Sequence, residues 1–261
     1  LVTAEIASAA NPRIKALAEL KSRRGRDRAG RFLIEGAREL TRALASDLPV
    51  DEIIFNAGLA SGAAASLVED PPAPVTTVGE APFRKLSMRE NPDGIIGVAP
   101  TWEPGLADID HDLVLVAEAI EKPGNLGAML RTADAAGAAV VVADAAVDAF
   151  NPNVVRASQG ALFSVPLAVT DTRAATQWAT ERGAVIVTAP DAADTVWEAD
   201  LTGPVTIVIG SEDTGVTAAW REVGNPVRIP MAGVSDSLNA SVAAAIVLFE
   251  AVRQRSSRVA E

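Results

Sequence analysis

The feature that most constrains this chain is a series of short, continuous apolar runs in its second half. They are "LVLVAEA", "AAVVVA", "SVPLAV", "AVIVTA", "PVTIVIG" and "PVRIPM", with helix-patterned segments between most of them. A strand with one wet face alternates apolar and polar residues; a run without alternation is covered on both faces. Such runs, separated by helices, specify an α/β fold with a parallel sheet between helical layers. Ligands of open parallel sheets gather at the carboxyl ends of the strands. The loops that follow these runs are therefore where chemistry is expected.

The first hundred residues read differently. "PRIKALAEL" places Ile14, Leu17 and Leu20 at helical spacing, and "ARELTRALA" is also helical. "RFLIEG", "VDEIIF" and "GIIGVA" read as strands, and "EDPPAPVTTVG" as a turn-rich connection. "PTWEPGLADIDH" has prolines, a glycine and aspartates with little periodicity, so it is the best linker. The expected organisation is a small α/β domain over residues 1–99, a linker over 100–112 and a second domain over 113–261.

Composition removes several chemistries. There is no cysteine and a single histidine, His111, so thiolate nucleophiles, zinc ribbons, histidine triads and multi-histidine metal sites are not expected. The expectation is no metal, no signal peptide, and no membrane span, because no apolar run reaches about 20 residues. Absence of cysteine fits a cytoplasmic protein. The net charge of −11 argues against indiscriminate nucleic-acid binding, yet it hides an asymmetry. From Asn11 to Arg42, ten basic residues face four acidic ones. The densest part, "KSRRGRDRAGR", carries Arg23, Arg24, Arg26, Arg28 and Arg31, and is either a solvated helix face or a phosphate-contacting surface.

Three loops after apolar runs stand out. In "EKPGNLGAMLRTADAAG", Asn125 is a plausible helix N-cap, and Leu126, Leu130, Ala133 and Gly137 share one helical face. Arg131 lies off that face, one turn from the small residues Gly127, Ala128 and Ala135; it is either an exposed ion pair or a group that another backbone can approach. In "GSEDTGVT", Gly210 and Gly215 are spaced like the glycines of a phosphate loop, but Val216 stands where lysine is needed, and Glu212 and Asp213 add negative charge. That loop suits a cationic ligand or one rich in hydroxyl and amino donors, unless it is only an acidic turn. In "RIPMAGVSDSLNASVAAAIVLFEA", a strand is expected to end at Ile229 to Met231 and a helix to start near Ser235 to Ser237. Leu238, Val242, Ala245, Ile246 and Phe249 would form its buried stripe, with Ser237 and Asn239 at the first turn. A weaker fourth stretch, "FNPNVVRASQGALFSVPL", adds Asn153, Arg156 and Ser158.

In this order and spacing, "NLGAMLRTADAAG", "IVIGSEDTGV" and "IPMAGVSDSLNASVAAAI" resemble the three motifs of the SpoU (TrmH-like) family of RNA 2′-O-ribose methyltransferases, in the SPOUT superfamily. "NPRIKALAELKSRRGRDRAGRFLIEGAREL" is similar to the RNA-binding domain that many members carry in front, so the resemblance covers nearly the whole chain. Ala240 departs from the valine usual after Ser-Leu-Asn. The resemblance implies a C-terminal domain with a deep trefoil knot, S-adenosylmethionine as cofactor, and a homodimer through that domain. It also implies an RNA substrate, with ribosomal RNA favoured over transfer RNA. Carried over by motif, Arg131, Asn125, Glu212, Ser237 and Asn239 are the catalytic set. Ile209, Gly210, Ile229, Met231, Ser237, Leu238 and Asn239 hold the cofactor. Arg23, Arg24, Arg26, Arg28, Arg31 and Arg156 contact RNA, Arg156 in its own or a partner's site. A base-methylating SPOUT enzyme, and a non-catalytic RNA-binding or ribosome-associated protein of the same fold, remain as alternatives.

Overall fold

The computed structural model describes residues 3–258. The chain divides into two units, one made of residues up to Trp102 together with Asp148–Ser164, the other of Glu103–Val147 together with residues from Val165 onward.

The first unit opens with β1 (Thr3–Ile6), α1 (Pro12–Glu19), α2 (Arg23–Ala29), β2 (Arg31–Glu35) and α3 (Ala37–Ala45). It continues with β3 (Glu52–Phe55), α4 (Gly62–Leu67), β4 (Val75–Val78), α5 (Glu80–Leu86) and β5 (Ile95–Pro100). Its mixed sheet runs β1-β4-β3-β5-β2, with β1, β4 and β3 parallel and β5 antiparallel to both its neighbours. β4 lies inside the stretch expected to be only a connection. Local caps set the helices. Asn11 accepts from Arg13 N at 2.8 Å with Pro12 opening α1, and Ser22 accepts from Gly25 N at 3.1 Å.

In the second unit come β6 (Leu113–Glu118), α6 (Pro123–Ala136) and β7 (Ala139–Ala143). The chain then forms α7 (Pro152–Ser158), which packs on β2 in the first unit. Phe150, just before α7, sits 5.0 Å from the Phe32 ring and 4.6 Å from that of Trp102. The crossover between β7 and β8 (Leu167–Thr170) is thus spent on the neighbouring unit's core. α8 (Thr172–Thr180), β9 (Ala184–Thr188), β10 (Val205–Ile209), α9 (Ala218–Val223), β11 (Asn225–Val227) and α10 (Ala240–Arg258) follow. The sheet is parallel throughout, in the order β11-β9-β10-β6-β7-β8. The runs without alternation, β6, β7 and β10, are buried along their whole length, as their pattern requires.

Two expectations for the last helix are corrected. β11 ends at Val227, before Ile229, and α10 starts at Ala240, beyond Ser237. Its buried face is Ala240, Ala244, Val247, Leu248 and Ala251, whereas Val242 and Phe249 are about half exposed (47 % and 48 %). Ala245 and Ile246 of the expected stripe are only partly buried, so the buried face is turned from the one expected; α10 packs against α6.

Candidate active site

A cavity of about 290 Å³ opens at the carboxyl ends of β9, β10 and β11, where an open parallel sheet is expected to bind ligands. Ile209, Gly210, Ile229, Met231, Ser237 and Leu238 line it, six of the seven residues expected to hold a cofactor. Asn239 is not among them. Sequence reasoning missed Thr188, Ala189 and Pro190, which follow β9, and also Arg221 and Arg228. The strand-end rule would have found the first three, since β9 is the neighbour of β10. Arg221 is tied to Asp191 by contacts of 3.1–3.2 Å, and Arg228 Nε donates to Ala192 O at 3.0 Å.

The glycine loop after β10 has a steric cause. A Cβ on Gly210 would lie 2.2 Å from the carbonyl carbon and oxygen of Gly215 and 2.4 Å from Val216 N. The loop therefore folds directly onto the strand end, closed by Gly215 N donating to Ser211 O at 3.0 Å, with Gly215 at φ +67°. Its exit is anchored from beneath by Glu118, the last residue of β6 and fully buried. Glu118 accepts from Thr217 N at 2.9 Å, Thr217 Oγ1 at 2.7 Å and Thr172 Oγ1 at 3.2 Å. Sequence reasoning missed Glu118 too; the signal was a carboxylate closing an otherwise apolar run.

Three residues from three motifs meet beside the cavity. Glu212 Oε1 accepts from Asn125 Nδ2 at 3.1 Å and from Asn239 Nδ2 at 2.5 Å, and Asn239 Nδ2 also reaches Asn125 Oδ1 at 3.1 Å. Lys122 Nζ pairs with Glu212 Oε2 and was not foreseen. That ammonium, and then the Asn125 amide, holds the Glu212 carboxyl below the usual carboxylate range, while Glu212 raises Lys122. Asn125 is not the cap of α6. Lys122 occupies that position, Pro123 opens the helix, and the Asn125 side chain is free to cross to the other motifs. Asn239 does both jobs at once. Its Oδ1 caps α10, accepting from Ser241 N at 3.1 Å and Ser241 Oγ at 2.6 Å, and its amide nitrogen enters the cluster.

Arg131 lies on the exposed side of α6, away from the buried Leu126, Met129, Leu130 and Ala133. Arg156 is exposed on α7, and Ser158 is buried, its hydroxyl donating to Val155 O at 2.9 Å. One RNA-contact expectation fails outright. Arg26 is 2 % exposed, ion-paired with Asp148 at 2.5 Å and donating to the carbonyls of Leu20 and Lys21, so it cannot reach a phosphate. Helical spacing turns it inward while Arg23, Arg24 and Arg28 face solvent.

Residues 112–249 match the model of the SpoU rRNA Methylase family. The chain belongs to that family. Residues 11–97 match the MRM3-like substrate binding domain. The chain is 34 % identical, over 91 % of its length and 88 % of the relative's, to the 23S rRNA (uridine(2479)-2′-O)-methyltransferase of Streptomyces viridochromogenes. Among solved structures, an RNA 2′-O ribose methyltransferase is 44 % identical with a TM-score of 0.87, covering 97 % of this chain and all of that one. The SpoU methyltransferase AviRb of S. viridochromogenes in complex with AdoMet is 31 % identical with the same TM-score, covering 95 % of this chain and 99 % of that one. SpoU membership accounts for the α/β fold with its parallel sheet, the order of the three motifs and the substrate-binding domain in front of them. Among the described residues, no helix is long and apolar enough to cross a membrane.

Proposed function

We propose that the chain is an S-adenosylmethionine-dependent RNA 2′-O-ribose methyltransferase acting on ribosomal RNA. The observation that carries this reading is the meeting of Asn125, Glu212 and Asn239 beside a strand-end cavity whose lining includes no lysine. The lining fits the cofactor. Ile209, Ile229 and Leu238 offer apolar walls for an adenine, Glu212 and Asp213 offer charge to a sulfonium, and Arg221 and Arg228 suit a carboxylate. S-adenosylmethionine supplies an electrophilic methyl when bound; the chain must align a ribose hydroxyl with it and manage the hydroxyl proton.

Arg131 orients that hydroxyl or its neighbouring phosphate and stabilises the oxyanion charge that develops. Asn125, Ser237 and Asn239 position ribose and cofactor, and Glu212 supports the loop. Ribosomal RNA is favoured over transfer RNA because the relative above is a 23S rRNA enzyme. Arg156, exposed on α7, grips RNA phosphate. The deep trefoil knot comes with the family. A homodimer through the C-terminal unit is supported by the half-exposed Val242 and Phe249 on α10, apolar groups that a second copy would cover. A cytoplasmic location follows from the substrate.

The test incubates the purified protein with methyl-labelled S-adenosylmethionine and unmodified 23S rRNA transcript, then digests the RNA. Label in a 2′-O-methylated nucleoside is expected. Label on a base would favour the base-methylating alternative. Failure to bind the cofactor by calorimetry would leave only the non-catalytic one.

A further inference from the structure

In the first unit, charge that is dense along the sequence is not dense in space. Of the arginines in "KSRRGRDRAGR", Arg26 is buried against Asp148. Arg28 pairs with Glu19, Arg31 with Asp51 at 2.6 Å, and Arg23 lies 4.0 Å from Asp27. Each of these cations has a carboxylate beside it, which cancels most of the field a phosphate would feel. Among these arginines only Arg24 makes no ion pair within the described residues.

A second group keeps more of its charge. Arg38, half exposed on α3, donates to Gln159 Oε1 at 3.1 Å, at the end of α7. One turn further along α3, the methylene stem of Arg42 lies on Gly160, where an added Cβ would meet Cδ at 2.6 Å. Gly160 sits at φ +92°, so glycine is needed there twice over, for the backbone and for the arginine above it. Arg156 is exposed in the last turn of α7, three residues before Gln159. Neither Arg42 nor Arg156 makes an ion pair among the described residues. The acid at this surface, Glu39, is 1 % exposed and shared between Arg38 and Arg89, at 2.9 and 3.1 Å.

We infer that the RNA-contacting surface of the first unit is the one shared by α3 and α7, with Arg38, Arg42 and Arg156 as its phosphate contacts. This rests on the RNA reading above. Among the described residues Arg42 and Arg156 have no facing carboxylate, and the one beside Arg38, Glu39, is buried and shared with Arg89, so the group keeps a net positive charge. Such a group suits a sugar-phosphate backbone, which arginine grips through paired N–H donors. α3 lies in the sequence matched by the substrate-binding model and α7 in that matched by the methylase model, yet both belong to one compact unit. The surface that takes the substrate is therefore completed by a segment from the methylase half of the sequence.

The test uses the full-length protein and unmodified 23S rRNA transcript, with affinity measured between 50 and 200 mM salt. Arg38→Gln, Arg42→Gln and Arg156→Gln together should weaken binding and flatten the dependence of log K on log salt by about 1 per arginine removed. Lysine at the same three positions should restore most of the slope, and Arg23→Gln, Arg28→Gln and Arg31→Gln together, each already paired with a carboxylate, should leave it near wild type. Because Arg42 is packed on Gly160, the exposed Arg156→Gln alone is the variant that keeps the test sound if the triple variant melts early. An unchanged slope in the α3/α7 variants, with wild-type protein binding and methylating normally, overturns this surface alone. A wild-type protein that neither binds nor methylates the transcript overturns the functional reading and this surface with it.

Discussion

The polar clusters of the two units are built in opposite ways. In the second unit, Asn125, Glu212 and Asn239 are scattered along the sequence, yet their side chains close into one hydrogen-bonded group. In the first, five arginines between positions 23 and 31 are neighbours in sequence, yet one is buried and three pair off with separate carboxylates. A parallel sheet gathers residues from successive strand ends onto one edge, whereas a helix sends neighbouring residues around its circumference. Spacing between motifs was therefore a better guide to a site than density within a run.

The largest effect should come from the residue the comparison singles out as structural. Arg26→Ala leaves Asp148 without its partner and frees the carbonyls of Leu20 and Lys21. Breaking a buried pair in this way costs about 3–5 kcal/mol, so denaturant unfolding should show the first unit strongly destabilised. If Arg26 acted instead as an RNA contact, stability would stay near wild type and the salt slope would fall.

Arg131→Ala should do the reverse. The side chain lies off the buried stripe of α6, so folding and cofactor affinity should be kept while methyl transfer falls by about 100-fold or more, the scale of one lost charge-stabilising donor. Single-turnover rates beside calorimetry separate the two, and an unchanged rate would retire Arg131.

Asn239 offers a smaller and sharper test, because its two ends do different work. Asn239→Ser keeps a good N-cap for α10 and removes the amide that reaches Glu212 and Asn125. Asn239→Ala removes both. Transfer should be impaired in the two variants alike, but only alanine should lose the cap's contribution of about 1 kcal/mol to stability. Wild-type activity in the serine variant would show that the amide bridge has no part in the reaction.

How far this was legible in the sequence follows the same line. β6, β7, β9 and β10 announced themselves as unbroken apolar runs, and the cavity lies at the carboxyl ends of β9 and β10 and of β11 beside them. β4 was hidden by the prolines before it. Those prolines sit outside its ladder, and Pro74 still accepts from Ile53 N at 2.9 Å, so they did not prevent a strand. The start of α10 was misplaced because Ser235, Ser237 and Asn239 are all competent caps, and only Asn239 also bridges to the other motifs. Arg26 could not be told from Arg24 or Arg28, since its partner Asp148 lies 122 residues away in a segment assigned to the other half of the chain.

The smallest effect concerns pH at the cluster. Glu212 has its folded pKa held below the ordinary range, first by the hydrogen bond from Lys122 and then by that from Asn125. A depressed carboxylate pKa contributes stability that is fully present above the unfolded value, about 4.3 for glutamate, and is lost only as pH falls through the lower folded value. The loop and its cofactor affinity should therefore be insensitive to Glu212 from neutral pH down to about 5. In Lys122→Met the largest cause of the depression is gone, so the acid-side loss of affinity should begin at higher pH, nearer the ordinary range. The pair is exposed to solvent, so raising the salt should shrink the difference between the two proteins. Calorimetric titration with S-adenosylmethionine at intervals between pH 4 and 6, at two salt concentrations, makes the comparison. Coincident acid limbs for wild type and Lys122→Met would mean that the loop is held by Gly210, Gly215 and Glu118 without help from the Glu212 cluster.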